Sequence, residues 1–298
     1  MDSKNNIRKP PWLKVRANFG SVYTEVRGIL KELNLHTVCQ EASCPNIGEC
    51  FSARTATFII MGDKCTRNCR FCDVSPGRPS PPDQDEPRRV AEAVRKLNLK
   101  FAVITSVTRD DLPHGGAGIF AETIRQIREL SSRCKIEILI PDLAGDTEAL
   151  DKAIGARPEV LAHNLETIPD LYSKVRPQAN YQRSLGVLKY VSENTNDIIV
   201  KSGIMVGLGE SYNQIEKVLA DSAGVGCQIF TVGQYLAPSK KHQPIQKYYT
   251  PDEFDRIKSL GEKLGIKHMV SGPLVRSSYM AHDQEAKYHR KSSHVTNQ

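Results

Sequence analysis

Residues 58–72 read Phe58-Ile-Ile-Met61-Gly-Asp-Lys-Cys65-Thr-Arg-Asn-Cys69-Arg-Phe-Cys72, an apolar run followed closely by three cysteines. A short apolar run that ends at a glycine predicts a buried strand. Three thiolates on the loop after it can each bind one iron of a four-iron cubane, which leaves the fourth iron open to a ligand. Four cysteines would close the cluster, as in ferredoxins. The spacing therefore predicts a reactive cluster site on Cys65, Cys69 and Cys72, with Phe71 shielding it from water.

Beyond this segment, short apolar runs alternate with longer helical patterns. Such alternation predicts a parallel sheet with right-handed crossovers. Six units favour an α/β fold with a partial (β/α)6 TIM-type barrel, and an open doubly wound sheet is the alternative from pattern alone. The predicted strands are Phe58–Met61, Phe101–Val107, Ile136–Ile140, Val160–Leu165, Ile198–Met205 and Gln228–Tyr235. The predicted helices span 22–33, 88–97, 118–132, 146–155, 181–194, 211–223 and 251–264.

The pattern divides the chain into three parts. Residues 1–57 are largely irregular and are predicted to be an N-terminal extension, residues 58–236 the barrel, and residues 237–298 a C-terminal extension. Barrel enzymes carry their chemistry on loops after the strands. The polar groups at 65–72, 109–116, 164–166 and 207–210 all follow predicted strands, so we expect them to share one active face.

Composition excludes several classes of protein. The chain has 298 residues, with 41 Lys plus Arg, 34 Asp plus Glu and 8 Cys, and 25% charged residues exclude a disordered chain. Six of the 8 cysteines lie between Cys39 and Cys72, which indicates a metal site and not a disulfide scaffold. No run approaches the roughly 18–20 apolar residues of a membrane span, and the first residues lack a secretory signal. We expect a cytoplasmic protein that does not bind membranes.

Another cysteine triad, the first along the chain, precedes the first strand, so that Cys65, Cys69 and Cys72 form the second triad. It reads Cys39-Gln-Glu-Ala-Ser-Cys44-Pro-Asn-Ile-Gly-Glu-Cys50 and again lacks a fourth thiol. Its place just upstream of the other triad predicts a second cluster at the same mouth. Cys134 and Cys227 stand alone and are expected to be small buried hydrophobes. A structural zinc site, the alternative for these cysteines, usually has paired C-x2-C spacing and a fourth ligand.

The two triads, taken with further motifs in the same order, resemble one enzyme family. The C-x3-C-x-F-C loop resembles the radical S-adenosylmethionine superfamily, and the ordered set resembles its lipoyl synthase family. The other members of the set are Lys9–Lys14, Thr105–Val107, Arg109–Pro113, His163–Thr167, Val175–Pro177, Lys201–Glu210 and Arg276–Tyr279. Other radical enzymes with an auxiliary cluster are an alternative that the Cys-Pro-Asn triad and the Arg-Ser-Ser-Tyr segment disfavour. A zinc or nucleic-acid module is a second alternative, and it would need cysteine pairs or a basic patch with interleaved aromatic residues, which residues 1–54 do not offer. Met280 departs from the histidine usual in the family.

The resemblance implies a reaction and a set of ligands. Two sulfurs would enter at C6 and C8 of an octanoyl group on a carrier-protein lysine, and these unactivated carbons require a radical. The resemblance implies two [4Fe–4S] clusters, one on Cys65, Cys69 and Cys72 that binds S-adenosylmethionine, and an auxiliary one that donates sulfur. Ser278 would be the fourth ligand of the auxiliary cluster, beside Cys39, Cys44 and Cys50. Serine oxygen is a harder ligand than thiolate for cluster iron, so this corner can be released first.

Other expectations concern the cofactor and the partners. Phe71, Thr105, Asn164, Glu166, Arg176 and Lys201 are candidate contacts to the cofactor or the substrate. Expected partners are an octanoylated lipoyl carrier domain or a glycine-cleavage H protein, a ferredoxin or flavodoxin type reductant, and an iron–sulfur carrier for cluster repair. The net charge of +7 suits acidic partners of this kind. We expect a monomer that does not bind nucleic acid.

Overall fold

The structure is a computed structural model that describes residues 8–15, 20–41, 44–53 and 55–295. Its strands are β1 (His36–Thr37), β2 (Thr57–Ile60), β3 (Lys64–Cys65), β4 (Ser75–Pro76), β5 (Phe101–Ser106), β6 (Lys135–Leu139), β7 (Val160–Ala162), β8 (Ile199–Val206), β9 (Ile229–Gln234) and β10 (His268–Gly272). Its α-helices are α1 (Ser21–Glu32), α2 (Val38–Glu41), α3 (Ile47–Ser52), α4 (Glu86–Lys96), α5 (Ala117–Leu130), α6 (Thr147–Gly155), α7 (Tyr172–Val175), α8 (Tyr181–Asn194), α9 (Tyr212–Gly224), α10 (Pro251–Lys263) and α11 (Ala281–Val295).

The main sheet has the order β1-β2-β5-β6-β7-β8-β9-β10. All neighbours from β2 to β10 pair in parallel, and β1 adds antiparallel to β2. In the part of the chain that the structure describes, the edge strands β1 and β10 are not paired with each other, so the barrel is partial. A separate short ladder joins β3 to β4. The prediction of a partial α/β barrel is confirmed.

Helix boundaries follow from local capping chemistry. Ser211 accepts a hydrogen bond from the Gln214 N–H while the Gln214 side chain caps Ser211 in return, and Thr250 and Glu253 do the same at the start of α10. Each such capping box stabilises a helix start by about 0.5–2 kcal/mol. The six predicted helices of the barrel region and the helix predicted over 22–33 are all present within two residues of their expected bounds.

The barrel contains one more parallel strand than the sequence pattern predicts. β10 lies within the segment assigned to a C-terminal extension and continues the sheet from β9. α11 then covers the amino ends of the strands. Its Ala281 and Tyr288 pack with the inward-facing side chains of Phe101, Val103, Val160, Ile199 and Ile229. The amino end of the barrel is therefore filled with apolar side chains, and space for ligands is left at the carboxyl end.

None of the helices in the described segments has the length and apolarity needed to cross a membrane.

Candidate active site

A cavity lies at the carboxyl ends of the parallel strands. It measures about 450 Å³, within the range of about 300–1,000 Å³ that small-molecule sites occupy. All three cysteines of the first triad line it, together with Cys72 and Ser278. Residues that are 200 and more positions apart in sequence therefore meet around one space.

The cysteine loop 65–72 begins on the short β3–β4 ladder. Its base is closed by the Gly77 N–H, which donates to the Cys65 carbonyl at 2.9 Å. The Cys65 sulfur accepts backbone N–H groups from Arg67 at 3.4 Å and from Thr108 at 3.3 Å. These two amide donors fix the position of the Cys65 sulfur at the start of the loop.

Arg67 fixes one side of this loop. Its guanidinium donates to both carboxylate oxygens of Asp110 at 2.8 Å and to Asp142 Oδ1 at 2.7 Å. Arg67 is 6% exposed and Asp142 is 0% exposed, so these charge-assisted bonds lie in a low dielectric, where they are strong. Neither Arg67 nor Asp142 was expected in the site from the sequence. An arginine inside a cysteine loop was the available signal, but its partner 75 residues away could not be found from spacing.

The other side of the loop is held by backbone contacts. The Arg70 N–H donates to the Val175 carbonyl, and the Gln243 N–H donates to the Arg70 carbonyl, both at 2.9 Å. The His242 ring nitrogen Nε2 lies 3.1 Å from the Cys72 carbonyl. The loop is therefore anchored to the segments after β7 and β9 as well as to the loop after β5.

The first triad is carried by two short helices. Cys39 lies on α2, Cys50 lies on α3, and Cys44 lies between them. Burial raises the pKa of the Cys39 and Cys50 thiols to about 12, and it does the same for Cys72. Because metal ligation needs thiolates, cluster binding at these sites releases protons.

The segment Arg276–Tyr279 returns to the first triad from the end of β10. Gly233 permits this course, because a Cβ there would lie 2.0 Å from the Val275 carbonyl oxygen. Ser277, Ser278 and Tyr279 all line the cavity. The structure thus brings Ser278 to the same cavity as Cys39, Cys44 and Cys50.

Asn164, Glu166 and Arg176 form a polar cluster at the carboxyl end of β7. Arg176 donates to the carbonyls of Asn164 and Leu165 at 3.0 and 3.1 Å. Burial raises the pKa of Glu166, while Arg176 acts in the opposite direction. Asn164 and Glu166 line the cavity, and Asn164 Oδ1 is buried without a hydrogen-bond partner among the described residues. An unpartnered acceptor at a cavity wall fits a ligand that carries hydrogen-bond donors, such as an amino group or a ribose.

Thr105 and Lys201 lie deeper in the barrel. The Thr105 hydroxyl donates to the Leu139 carbonyl at 2.8 Å. The Lys201 ammonium contacts both carboxylate oxygens of Glu137 at 2.9 Å, and both side chains are almost fully buried. Neither Thr105, Lys201 nor Arg176 lines the cavity. The polar end of Lys201 is directed to Glu137 because the inward-facing positions of β6 and β8 meet below the cavity floor.

The donor sets fit clusters better than single ions. Among the described residues, no three His, Cys, Asp or Glu side chains are grouped to hold one metal ion. A cubane differs in this respect, since its thiolates bind separate irons. Each triad supplies three thiols at or near the cavity, and Ser278 adds an oxygen beside the first. Cys134 and Cys227 are buried and do not line the cavity.

Comparison with known families agrees with this arrangement. Residues 59–221 match the Radical SAM superfamily, and residues 1–44 match the N-terminal domain of lipoyl synthase of the Radical SAM family. The lipoyl synthase of Caldicellulosiruptor saccharolyticus is 53% identical over 276 residues, which cover 93% of this chain and 97% of that protein. The chain belongs to the lipoyl synthase family. The lipoyl synthase of Mycobacterium avium is 48% identical and covers 92% of this chain and 89% of its own length.

Solved structures support the fold. The [FeFe]-hydrogenase maturase HydG matches with a TM-score of 0.55 at 15% identity, covering 77% of this chain and 62% of its own. Methylornithine synthase PylB matches with a TM-score of 0.52 at 18% identity, covering 64% and 55%. This chain thus spans little more than half the length of these structures, and at such identities the likeness concerns the fold alone.

Family membership confirms three predictions from the motifs. The chain is a radical S-adenosylmethionine enzyme of the sulfurtransferase class, and its cofactors are [4Fe–4S] clusters and S-adenosylmethionine. The roles of individual residues rest on the geometry above and stay predictions.

Proposed function

We propose that this lipoyl synthase family member inserts two sulfur atoms, at C6 and C8 of an octanoyl group linked to a carrier-protein lysine. The observation that carries the proposal is the shared cavity. Cys39, Cys44, Cys50 and Ser278 line it together with Cys72 of the second triad. A radical reaction needs its initiating cofactor, its substrate carbon and its sulfur source within one enclosed space, because a free radical reacts with any nearby hydrogen donor.

The residues around the cavity suit these components. Cys65, Cys69 and Cys72 would hold the cluster that binds S-adenosylmethionine, and Cys39, Cys44, Cys50 and Ser278 would hold the auxiliary cluster. When bound, these groups supply the electron that yields the 5′-deoxyadenosyl radical and the sulfur that is inserted.

The walls of the cavity supply an apolar path for an alkyl chain. They include Leu139, Ile204, Met205, Leu236 and Val275. Apolar walls bind methylene groups with about 0.8 kcal/mol per buried CH₂ and exclude water from the reacting carbons. Phe71 lines the same cavity as Cys72, where it would shield that cluster from water.

The polar end of the cavity would orient the cofactor. Asn164 Oδ1 and the Glu166 carboxylate would accept hydrogen bonds from the cofactor at the wall. Arg176 positions them by binding the carbonyls that flank this turn. Glu166 has a φ of +65°, a strained value for a residue other than glycine, and this backbone conformation is consistent with a side chain held for binding.

A single-turnover assay tests the reaction. An octanoyl-lysyl peptide, S-adenosylmethionine and dithionite are incubated with the iron-loaded protein, and products are read by mass spectrometry. Peptides with one and two added sulfurs are expected. Iron-loaded protein that forms 5′-deoxyadenosine but no thiolated peptide would contradict the proposed reaction.

Ser278→Ala tests the auxiliary site separately. Cleavage of S-adenosylmethionine should persist, because Ser278 is not part of the 65–72 loop, while sulfur insertion should fall. Ser271→Ala is a matched control, since the Ser271 hydroxyl donates to the Phe254 carbonyl and does not line the cavity. A normal yield of thiolated peptide from Ser278→Ala would remove Ser278 from the proposed ligand set.

The partners in this proposal are a lipoyl carrier domain or H protein, an acidic ferredoxin or flavodoxin, and an iron–sulfur carrier that restores the auxiliary cluster. Exposed cations surround the 65–72 loop: Arg70 on the loop, Lys174 beside its Val175 contact, and Lys240 and Lys241 before its Gln243 contact. Such a surface steers acidic proteins by long-range attraction. We assign it to the reductant, because it covers the cluster loop.

Charge reversal at Lys174, Lys240 and Lys241 distinguishes the reductant from the carrier. With an acidic protein donor at low salt, kcat/KM for the donor should fall about tenfold or more, while turnover with dithionite stays unchanged. The control reverses Lys152, Lys258 and Lys263, exposed lysines of α6 and α10. Equal losses with dithionite and with the protein donor would assign the surface to the carrier instead.

A further inference from the structure

The segment after β10 is held on both sides of Ser278 by side-chain hydrogen bonds. Three side chains make them: Asn46 and Glu49 from the first cysteine segment, and Gln284 from α11. None of these contacts involves a thiol or the Ser278 hydroxyl. These hydrogen bonds therefore affect the position of Ser278.

Asn46 links the cysteine segment to the start of this loop. Its Nδ2 donates to the Leu274 carbonyl at 2.8 Å across 228 residues of sequence. Asn46 is 2% exposed, and its own carbonyl accepts the Cys50 N–H at 2.9 Å. One buried residue thus orders Cys50 and binds the segment that carries Ser278.

Tyr279 makes a second link to the same helix. Its hydroxyl lies 3.1 Å from both carboxylate oxygens of Glu49, the residue before Cys50. Hydrogen bonds to a carboxylate are stronger than those between neutral groups. This contact fixes the residue after Ser278 against the residue before a cysteine of the triad.

Gln284 fixes the backbone around Ser278. Its Nε2 donates to the Tyr279 carbonyl at 2.6 Å and to the Ser277 carbonyl at 3.4 Å. Gln284 is 3% exposed. The carbonyls of the residues immediately before and after Ser278 are therefore both held by one buried amide.

We propose that Asn46, Tyr279 and Gln284 are positioning residues that hold the Ser278 oxygen at the first cysteine triad, an inference that rests on the proposed function. A serine oxygen is a poor ligand for cluster iron compared with a thiolate. Its binding therefore depends on how little conformational freedom it loses, and a pre-positioned loop minimises that loss. The three residues thereby set how readily the auxiliary cluster releases its serine-bound corner.

The test measures iron release from the auxiliary site alone. In a background where Cys65, Cys69 and Cys72 are alanine, the protein is loaded with iron and exposed anaerobically to a chelator. Tyr279→Phe keeps the ring but removes the hydroxyl, and Asn46→Asp keeps the shape but removes the amide donor. Each variant should release auxiliary iron about five- to tenfold faster, as the loss of one hydrogen bond of ordinary net strength predicts.

Two controls separate positioning from general loss of structure. Tyr190→Phe removes a similar tyrosine–carboxylate bond, 2.9 Å to Asp151 on the surface, and should leave iron release unchanged. Ser278→Cys combined with Tyr279→Phe should restore iron retention, because a thiolate binds well without precise placement. Iron release from the 65–72 site, measured with the first triad replaced by alanine, should be unaffected by Tyr279→Phe.

Two results would overturn the inference. One is auxiliary iron release at the wild-type rate in both Tyr279→Phe and Asn46→Asp. The other is equally faster release from both cluster sites, which would show a general effect on the fold. If the unmutated protein instead bound a cluster only at residues 65–72, the proposed function would fail, and that result is distinct from either of these.

Discussion

Lys201→Met is expected to destabilise the protein strongly, whereas Lys201→Met combined with Glu137→Leu should not. Lys201 is 0% exposed and Glu137 is 1% exposed, and the ammonium lies 2.9 Å from both carboxylate oxygens. Removing one member of a buried ion pair costs about 3–5 kcal/mol, because the remaining charge is left unpaired. Replacing both members with apolar side chains of similar volume is often neutral or stabilising.

Thermal unfolding of the cluster-free protein measures this difference. At about 2 °C per kcal/mol for a large domain, the midpoint of Lys201→Met should fall by about 6–10 °C, and the double variant should recover most of that loss. Burial raises the pKa of Glu137 and Lys201 opposes it, so the loss of Lys201 leaves the effect of burial on this carboxyl uncompensated.

The same pair of variants tests whether Lys201 contacts the cofactor. If Lys201 only forms the buried ion pair with Glu137, the double variant should still cleave S-adenosylmethionine at close to the wild-type rate. A single variant with an unchanged midpoint, or a double variant no more stable than the single one, would refute the energetic argument. A stable double variant that no longer cleaves the cofactor would show that Lys201 reaches it.

Three further predictions follow from other contacts. Arg67→Ala leaves the buried Asp142, 0% exposed, with Arg183 at 3.3 Å as its remaining ion-pair partner. The free energy of unfolding should therefore fall by about 3 kcal/mol, and the 65–72 site should retain less iron. An unchanged iron content and an unchanged unfolding midpoint would contradict the anchoring role of Arg67. Met280→Gly relieves a φ of +53° and should raise the free energy of unfolding by about 0.5–1 kcal/mol, whereas Ala281→Gly, at a buried helix start, should lower it. Burial lowers the pKa of His268 from 6.5 to about 4; the charges of Lys291, Lys287 and Lys258 also lower it, and Glu262 acts in the opposite direction. The unfolded chain therefore binds the proton first, and stability present above pH 6.5 is lost as the pH falls toward 4. His268→Leu should remove up to about 3 kcal/mol of that pH dependence, and parallel pH profiles of stability for the two proteins would contradict it.

The helices and strands, and the spacing of the cysteine ligands, were predictable from sequence because both depend on residues that are close together in the chain. Apolar runs such as residues 101–106 and amphipathic windows such as 181–194 carry the period of their secondary structure. Strand β10 was not predicted, because its sequence, His268-Met-Val-Ser-Gly272, is short and mixes polar with apolar residues. It becomes a strand because it pairs with β9, which is a tertiary effect.

Placement within the site was less predictable. Asn164 and Glu166 reach the cavity as expected, since both follow directly after β7. Lys201 was also expected to contact the cofactor or the substrate. It lies within β8, and its ammonium binds Glu137 of β6, two strands away in the sheet. Bonds such as Arg67–Asp142 and Asn46–Leu274 join segments whose proximity depends on the whole fold, so one sequence carries no local sign of them.

The joining of Asn46 to Leu274 and of Glu49 to Tyr279 has a consequence for biosynthesis. The cysteines of both triads and the charged anchors Arg67, Asp110 and Asp142 all lie in the first half of the chain. Ser278, Tyr279 and Gln284 leave the ribosome after them, since chains are made from the amino end at about 5–20 residues per second. The auxiliary site can therefore acquire its serine ligand only after the strands of the barrel have been synthesised.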